Sequence, residues 1–114
     1  MTHSFLWLLL MLCAGHALCD FPLQSDILAL GKNRHKGYGS PRFPWWQLML
    51  AHCLIHGGTV ALITGNVWCG IAELVIHFFI DYWKCEGAFS FEYDQSIHYL
   101  MKLGWAVATM AVSK

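Results

Sequence analysis

Charge is scarce in this sequence. Asp, Glu, Lys and Arg make up 12% of its 114 residues, against roughly a quarter in an ordinary soluble domain. A chain so poor in charge cannot clothe a water-facing surface, which excludes a typical soluble globule. Seven basic and seven acidic residues cancel, so no net field draws nucleic acid and none is expected as a partner. Motif absences narrow the chemistry. No two of the five cysteines (Cys13, Cys19, Cys53, Cys69, Cys85) have CxxC spacing, so a zinc knuckle or thioredoxin-like motif is excluded. They read as small buried hydrophobes. Nor is there a Gly-rich phosphate loop, a dinucleotide fingerprint or a Ser or Cys nucleophile constellation.

What is abundant is apolar. Hydrophobic residues reach 57% and mean hydropathy is +0.46, values that also exclude disorder. At this length there is room for one domain. The N-terminal run MTHSFLWLLLMLCAGHALCD has no Lys or Arg before its apolar core, and no A-x-A-like site follows. It therefore reads as a retained helix, not a cleaved secretory signal. Pro22 removes one helical hydrogen bond and should kink that helix, or end it near Cys19 with a second, interfacial helix running through Leu30. WWQLMLAHCLIHGGTVALI (Trp45 to Ile63) is 19 residues without a charge other than histidine, close to the roughly 20 that span a bilayer. A tight turn at Thr64, Gly65 and Asn66 returns the chain through Val67 to Trp83, and Gln95 to Val112 completes the set. The fold expected is all-α: a transmembrane four-helix bundle with a kinked first helix. It forms one multipass domain over residues 1–114, with spans near 4–22, 45–63, 67–83 and 95–112.

Four of the seven Lys and Arg residues (Lys32, Arg34, Lys36, Arg42) fall between the first two spans. The positive-inside rule puts that loop, and the one from Lys84 to Asp94, in the cytoplasm. Trp45, Trp46, Tyr82, Trp83 and Tyr93 would form the aromatic belt at that face, with Trp7 and Trp68 near the other.

Each span carries one polar stripe. His16, Asp20 and Gln24 are spaced i, i+4, i+8, as are Glu73, His77 and Asp81, and Asp94, His98 and Lys102; His52 and His56 are i, i+4. Such spacing puts each set on one helix face. Antiparallel packing brings all four stripes to the cytoplasmic half of the bundle. Ionisable residues within a membrane usually face the bundle interior and partner one another. Imidazole and carboxylate together suit Zn, Mn or Fe, with His16, Asp20, His52, His56, His77, Asp81 and His98 as the candidate ligands. Glu73 or Asp94 could serve as general base, and Lys102 could stabilise an anionic transition state. The plainer alternatives are a metal-free hydrogen-bond network and, for Lys102, snorkelling beside a carboxylate. His3 and His35 lie outside the stripes and receive no role.

The run HALCDFPLQ (His16 to Gln24), with Lys32 after it, resembles the N-terminal signature of domain of unknown function 3307 (DUF3307). These are small integral membrane proteins of bacteria and their phages. A histidine in the second span, His77, Asp81 and Lys84 in the third, and Asp94, Gln95 and His98 in the fourth extend the resemblance over about residues 5 to 110. It implies a multipass protein of a bacterial inner membrane, or of the host membrane if phage-encoded, and supplies no activity. Three functions stay open. One is a metal-dependent hydrolase acting on a lipid or headgroup. Another is a non-catalytic protein binding a host membrane protein, or its own copy, with the polar cluster as scaffold. The third is a small channel or holin-like pore, which the apolar outer half of the bundle disfavours.

Overall fold

The computed structural model describes residues 4–35 and 44–112. Five helices and no strand occur among the described residues: α1 (Phe5–Asp20), α2 (Asp26–Gly31), α3 (Trp45–Thr64), α4 (Val67–Cys85) and α5 (Phe91–Val112). His3, Lys36 and Arg42 lie outside the described residues.

The first helix is broken, not kinked. The Ser4 side chain accepts from the Trp7 amide and starts α1, which stops at Asp20. Pro22 has no N–H to offer the Leu18 carbonyl, and the Leu23 amide takes that carbonyl instead at 3.0 Å. The Ser25 side chain then caps the six-residue α2. The turn after α3 is as expected. Gly65 adopts φ 68°, the left-handed conformation that favours glycine, and its amide bonds the Ala61 carbonyl. Asn66 accepts from the Trp68 and Cys69 amides to start α4. The fourth expected helix begins at Phe91 rather than 95, where the Ser90 hydroxyl accepts from the Tyr93 amide at 3.1 Å.

Close approach of α3 and α4 depends on two glycines. A Cβ on Gly70 would stand 2.6 Å from the Ala61 Cβ and 2.7 Å from the Gly57 carbonyl oxygen, and one on Gly57 would stand 2.7 Å from the Gly70 carbonyl oxygen. Gly15 meets Thr59 of α3 in the same manner, whereas Gly58 and Gly104 face open space and bring nothing closer. Gly70→Leu is therefore expected to cost about 1–3 kcal/mol or more through overpacking, while Gly104→Ala is tolerated. Thermal unfolding of the two variants in detergent checks this.

The burial pattern is inverted relative to a soluble bundle. The i+4 rows Leu8, Leu12, His16 and Asp94, His98, Lys102, Ala106 point inward, as do Glu73, His77 and Asp81. The opposite faces carry large apolar groups: Leu6 and Leu10 on α1, Leu54 and Leu62 on α3, Val75 and Phe79 on α4, Leu103 and Val107 on α5. At one end Leu8, Leu12, Val60, Cys69 and Ala106 close an apolar core. By length and composition α3 is long and apolar enough to cross a membrane, and it is the one such helix among the described residues. That property is shared with the core helices of soluble proteins. The four spans expected from the sequence thus reduce to one on that criterion, because α1 is 16 residues long and the charges of α4 and α5 lower their averages. The five cysteines are free, and Cys19, Cys53 and Cys69 are buried.

Candidate metal centre

The helical period delivers the polar stripes to one place. His16, His52, His56, Glu73, His77, Asp81, Asp94, His98 and Lys102 are all buried, and the Asp20 side chain is only 10% exposed. The imidazoles of five histidines on four helices pack together. His77 lies at the centre, stacked on His56 at 3.9 Å between ring centroids and on His98 at 4.1 Å. His52 meets His56 edge-on at 4.6 Å.

Two groups of side chains can each hold a metal ion, judged by ligand atoms within 4.8 Å of one another: Asp20, His52, His56 and His77, and a second group of Glu73, His77 and His98. In the first, Asp20 Oδ1 lies 2.8 Å from His56 Nε2 and 3.2 Å from His52 Nε2. The His56 contact has hydrogen-bond geometry. The His52 contact does not, and among the described residues both ring nitrogens of His52 lack a hydrogen-bond partner, as do His77 Nε2, His98 Nε2, His16 Nδ1 and Asp94 Oδ1. Buried polar atoms are normally paired, so this concentration of unpartnered ring nitrogens fits a ligand set better than a finished hydrogen-bond network.

Around these groups most of the charged contacts are paired. The Lys32 ammonium, 4% exposed, donates to Asp81 Oδ2 and to Gln24 Oε1, both at 2.6 Å. The Lys102 ammonium donates to Glu73 Oε1 at 2.5 Å, and the Trp105 indole N–H to Glu73 Oε2 at 2.9 Å. Gln95 Nε2 donates to Asp20 Oδ2 at 2.7 Å, so its carbonyl oxygen must accept from His16 Nε2, 3.0 Å away. That bond fixes the proton of His16 on Nε2.

These contacts place each of the sequence-predicted residues. His16 belongs to neither ligand group, because Gln95 engages the nitrogen that faces Asp20. Asp81 likewise lies outside both groups and is held by Lys32. His98 and Glu73 fall together with His77 in the second group. Glu73 has both oxygens engaged and so is no free base, whereas Asp94 keeps one unpartnered oxygen 3.2 Å from His98 Nε2. Lys102 does not snorkel to an interface: it is 1% exposed and paired inside. Lys32, counted above as a loop cation, is a buried part of the site, and Gln95 and Trp105 are further members that spacing did not single out. His35 sits apart with Arg34, both on Glu86, whose carboxyl is held down at about 2 by hydrogen bonds from Arg34 and His35. Lys84 lies over the Phe91 ring, 5.7 Å away, and outside the cluster.

The residues that carried the family resemblance (His16, Asp20, Gln24, Lys32, His77, Asp81, Asp94, Gln95, His98) are, Lys84 apart, the residues of this cluster. No curated protein and no solved structure matches the chain. The family described as Protein of unknown function (DUF3307) matches residues 7–113, nearly the whole chain, and the chain belongs to it.

Proposed function

We propose that this is a multipass inner-membrane protein of bacterial or phage origin that binds one divalent transition metal ion at Asp20, His52, His56 and His77. Charge balance is the observation that carries the metal. The buried cluster holds four carboxylates (Asp20, Glu73, Asp81, Asp94) and two ammonium groups (Lys32, Lys102). With the five imidazoles neutral, two negative charges are left over. Uncompensated buried charge is costly, and one divalent ion among neutral imidazoles balances it. Three nitrogens and one carboxylate oxygen suit Zn, Mn or Fe.

The inverted burial supports the membrane. On α1, α3, α4 as far as Trp83, and α5 from Asp94 onward, no Asp, Glu, Lys or Arg is exposed. The outward faces are dominated by Leu, Val, Ile, Phe and Trp, which a bilayer tolerates and water does not. Exposed Trp46, Trp83 and Tyr93 stand at the end where α2 lies, and Trp7 and Trp68 near the other, as interfacial aromatics do.

For chemistry, hydrolysis of a lipid or its headgroup is the reading best supported. A bound ion lowers the pKa of its water toward ~7 and polarises an ester or phosphoryl oxygen. Asp94, with its free oxygen, is the base candidate, linked to Asp20 through the Gln95 amide at 3.3 and 2.7 Å. Asp20 is the most exposed ionisable member of the cluster, and its neighbours Phe21 and Tyr99 are exposed beside it. A headgroup could therefore approach laterally along the seam of α1 and α5. The closed apolar core at the far end argues against a conduit.

The test is metal content. Wild-type protein purified in detergent after supplementation should carry about one equivalent of metal, His35→Ala the same, and His56→Ala little. A wild type without stoichiometric metal would refute the reading and leave a structural network as the better account.

A further inference from the structure

The two ligand groups share His77, yet they differ in what already compensates them. In the first, no cation among the described residues is bonded to Asp20, whose oxygens face imidazoles and the Gln95 amide. In the second, Glu73 Oε1 is within 3.4 Å of His77 Nδ1 and carries the Lys102 ammonium at 2.5 Å. That ammonium also lies 3.5 Å from the His98 carbonyl oxygen, so it is wedged among the residues of that group. Asp81 stands in the same relation to the first group. Its Oδ2 lies 3.4 Å from His52 Nε2 and 3.9 Å from His77 Nε2, within reach of an ion held there, but Lys32 holds it at 2.6 Å.

We propose that Lys102 is a built-in counter-ion occupying a second, latent divalent-metal site made by Glu73, His77 and His98. Lys32 plays the matching part at Asp81, so that the wild-type cluster is limited to one divalent ion. The inference rests on the metal reading above. Its physical basis is charge. With both lysines in place one divalent ion neutralises the cluster, and a second would bury two excess positive charges, which the low-dielectric interior resists. Removing the Lys102 ammonium leaves Glu73 as a buried anion beside His77 and His98, a set with the donor chemistry for a second transition metal. A neutral imidazole offers one lone pair, so His77 would serve both ions as a bridging imidazolate, with its N–H proton released to solvent.

The experiment is equilibrium dialysis of the full-length protein in detergent micelles against Zn²⁺ at neutral pH, with thermal unfolding alongside. Wild type should bind one equivalent and Lys102→Met two, with the second lost again in Glu73→Gln/Lys102→Met and in His98→Ala/Lys102→Met. Lys102→Met should also melt lower than wild type without Zn²⁺ and recover when it is added, whereas Glu73→Gln/Lys102→Met should show no such recovery. One equivalent in both wild type and Lys102→Met overturns this inference and leaves the metal reading standing, as do two equivalents in the wild type. None in the wild type overturns both. Should Lys102→Met not fold, Lys32→Met supplies a separate measure. Freeing Asp81 to join the first group should tighten Zn²⁺ by roughly 10- to 100-fold, the scale of groups that support metal ligands. Unchanged affinity there overturns the counter-ion role.

Discussion

His77→Ala is expected to abolish metal binding, with a loss well beyond the roughly 10- to 100-fold that follows removal of a supporting partner. His77 is common to both ligand groups and its ring is stacked between His56 and His98. The neighbouring carboxylates are not free to substitute for it, since Asp81 is committed to Lys32 and Glu73 to Lys102 and Trp105. His16→Ala provides the contrast. Its ring is equally buried, but its Nε2 serves Gln95, so its loss loosens the support of Asp20 and should weaken binding only by about tenfold. Competition for Zn²⁺ against a chromophoric chelator separates the two variants, with helical circular dichroism as the check on folding. Equal losses in both would mean that the cluster responds to damage as a packing unit and does not bind through particular nitrogens.

Much of this site is legible in the sequence because helical geometry is strict. Spacing of i, i+4 puts His16 with Asp20, Glu73 with His77 and Asp81, and Asp94 with His98 and Lys102 on single faces. In so apolar a chain such faces have nowhere to go but inward. Which members of the stripes meet is another matter, because it depends on helix rotation and depth that spacing does not encode. Thus Asp81 and His16, equal candidates by pattern, are engaged by Lys32 and Gln95, and Glu73 falls with His77 and His98. Lys32 escaped because it follows a broken helix. Once Pro22 ends α1, the short α2 returns the chain so that a nominal loop cation enters the interior. The membrane pattern shows the opposite weakness of averages. Mean hydropathy over α4 and α5 counts the charges of the inner stripe as though they faced outward, and α3 alone among the described helices meets the length and hydropathy of a span.

Glu73→Ala is expected to be the most damaging substitution for stability, at about 3–5 kcal/mol, the scale on which removing one partner of a buried ion pair destabilises a fold. Glu73 ties α4 to α5 by two bonds, to the Lys102 ammonium and to the Trp105 indole N–H, and its side chain and that of Lys102 are each 1% exposed. The truncation strands a buried cation, opens a cavity and leaves the indole donor unpaired, each a recognised cause of large losses. Removing both charges should be far less harmful, because Glu73→Gln/Lys102→Met keeps the volume and asks no ion to remain dehydrated. The two residues should therefore be strongly non-additive in a double-mutant cycle. Glu86→Ala, which breaks the exposed contacts of Arg34 and His35, should hardly register, since screened surface pairs contribute little. Unfolding in detergent with rising denaturant, metal-free throughout, measures Glu73→Ala, Glu86→Ala, the double variant and its two single components, Glu73→Gln and Lys102→Met. If Glu73→Ala costs under about 1 kcal/mol, no more than an ordinary net hydrogen bond, then Lys102 finds water or another partner when Glu73 is gone, and the pair does not hold α4 against α5.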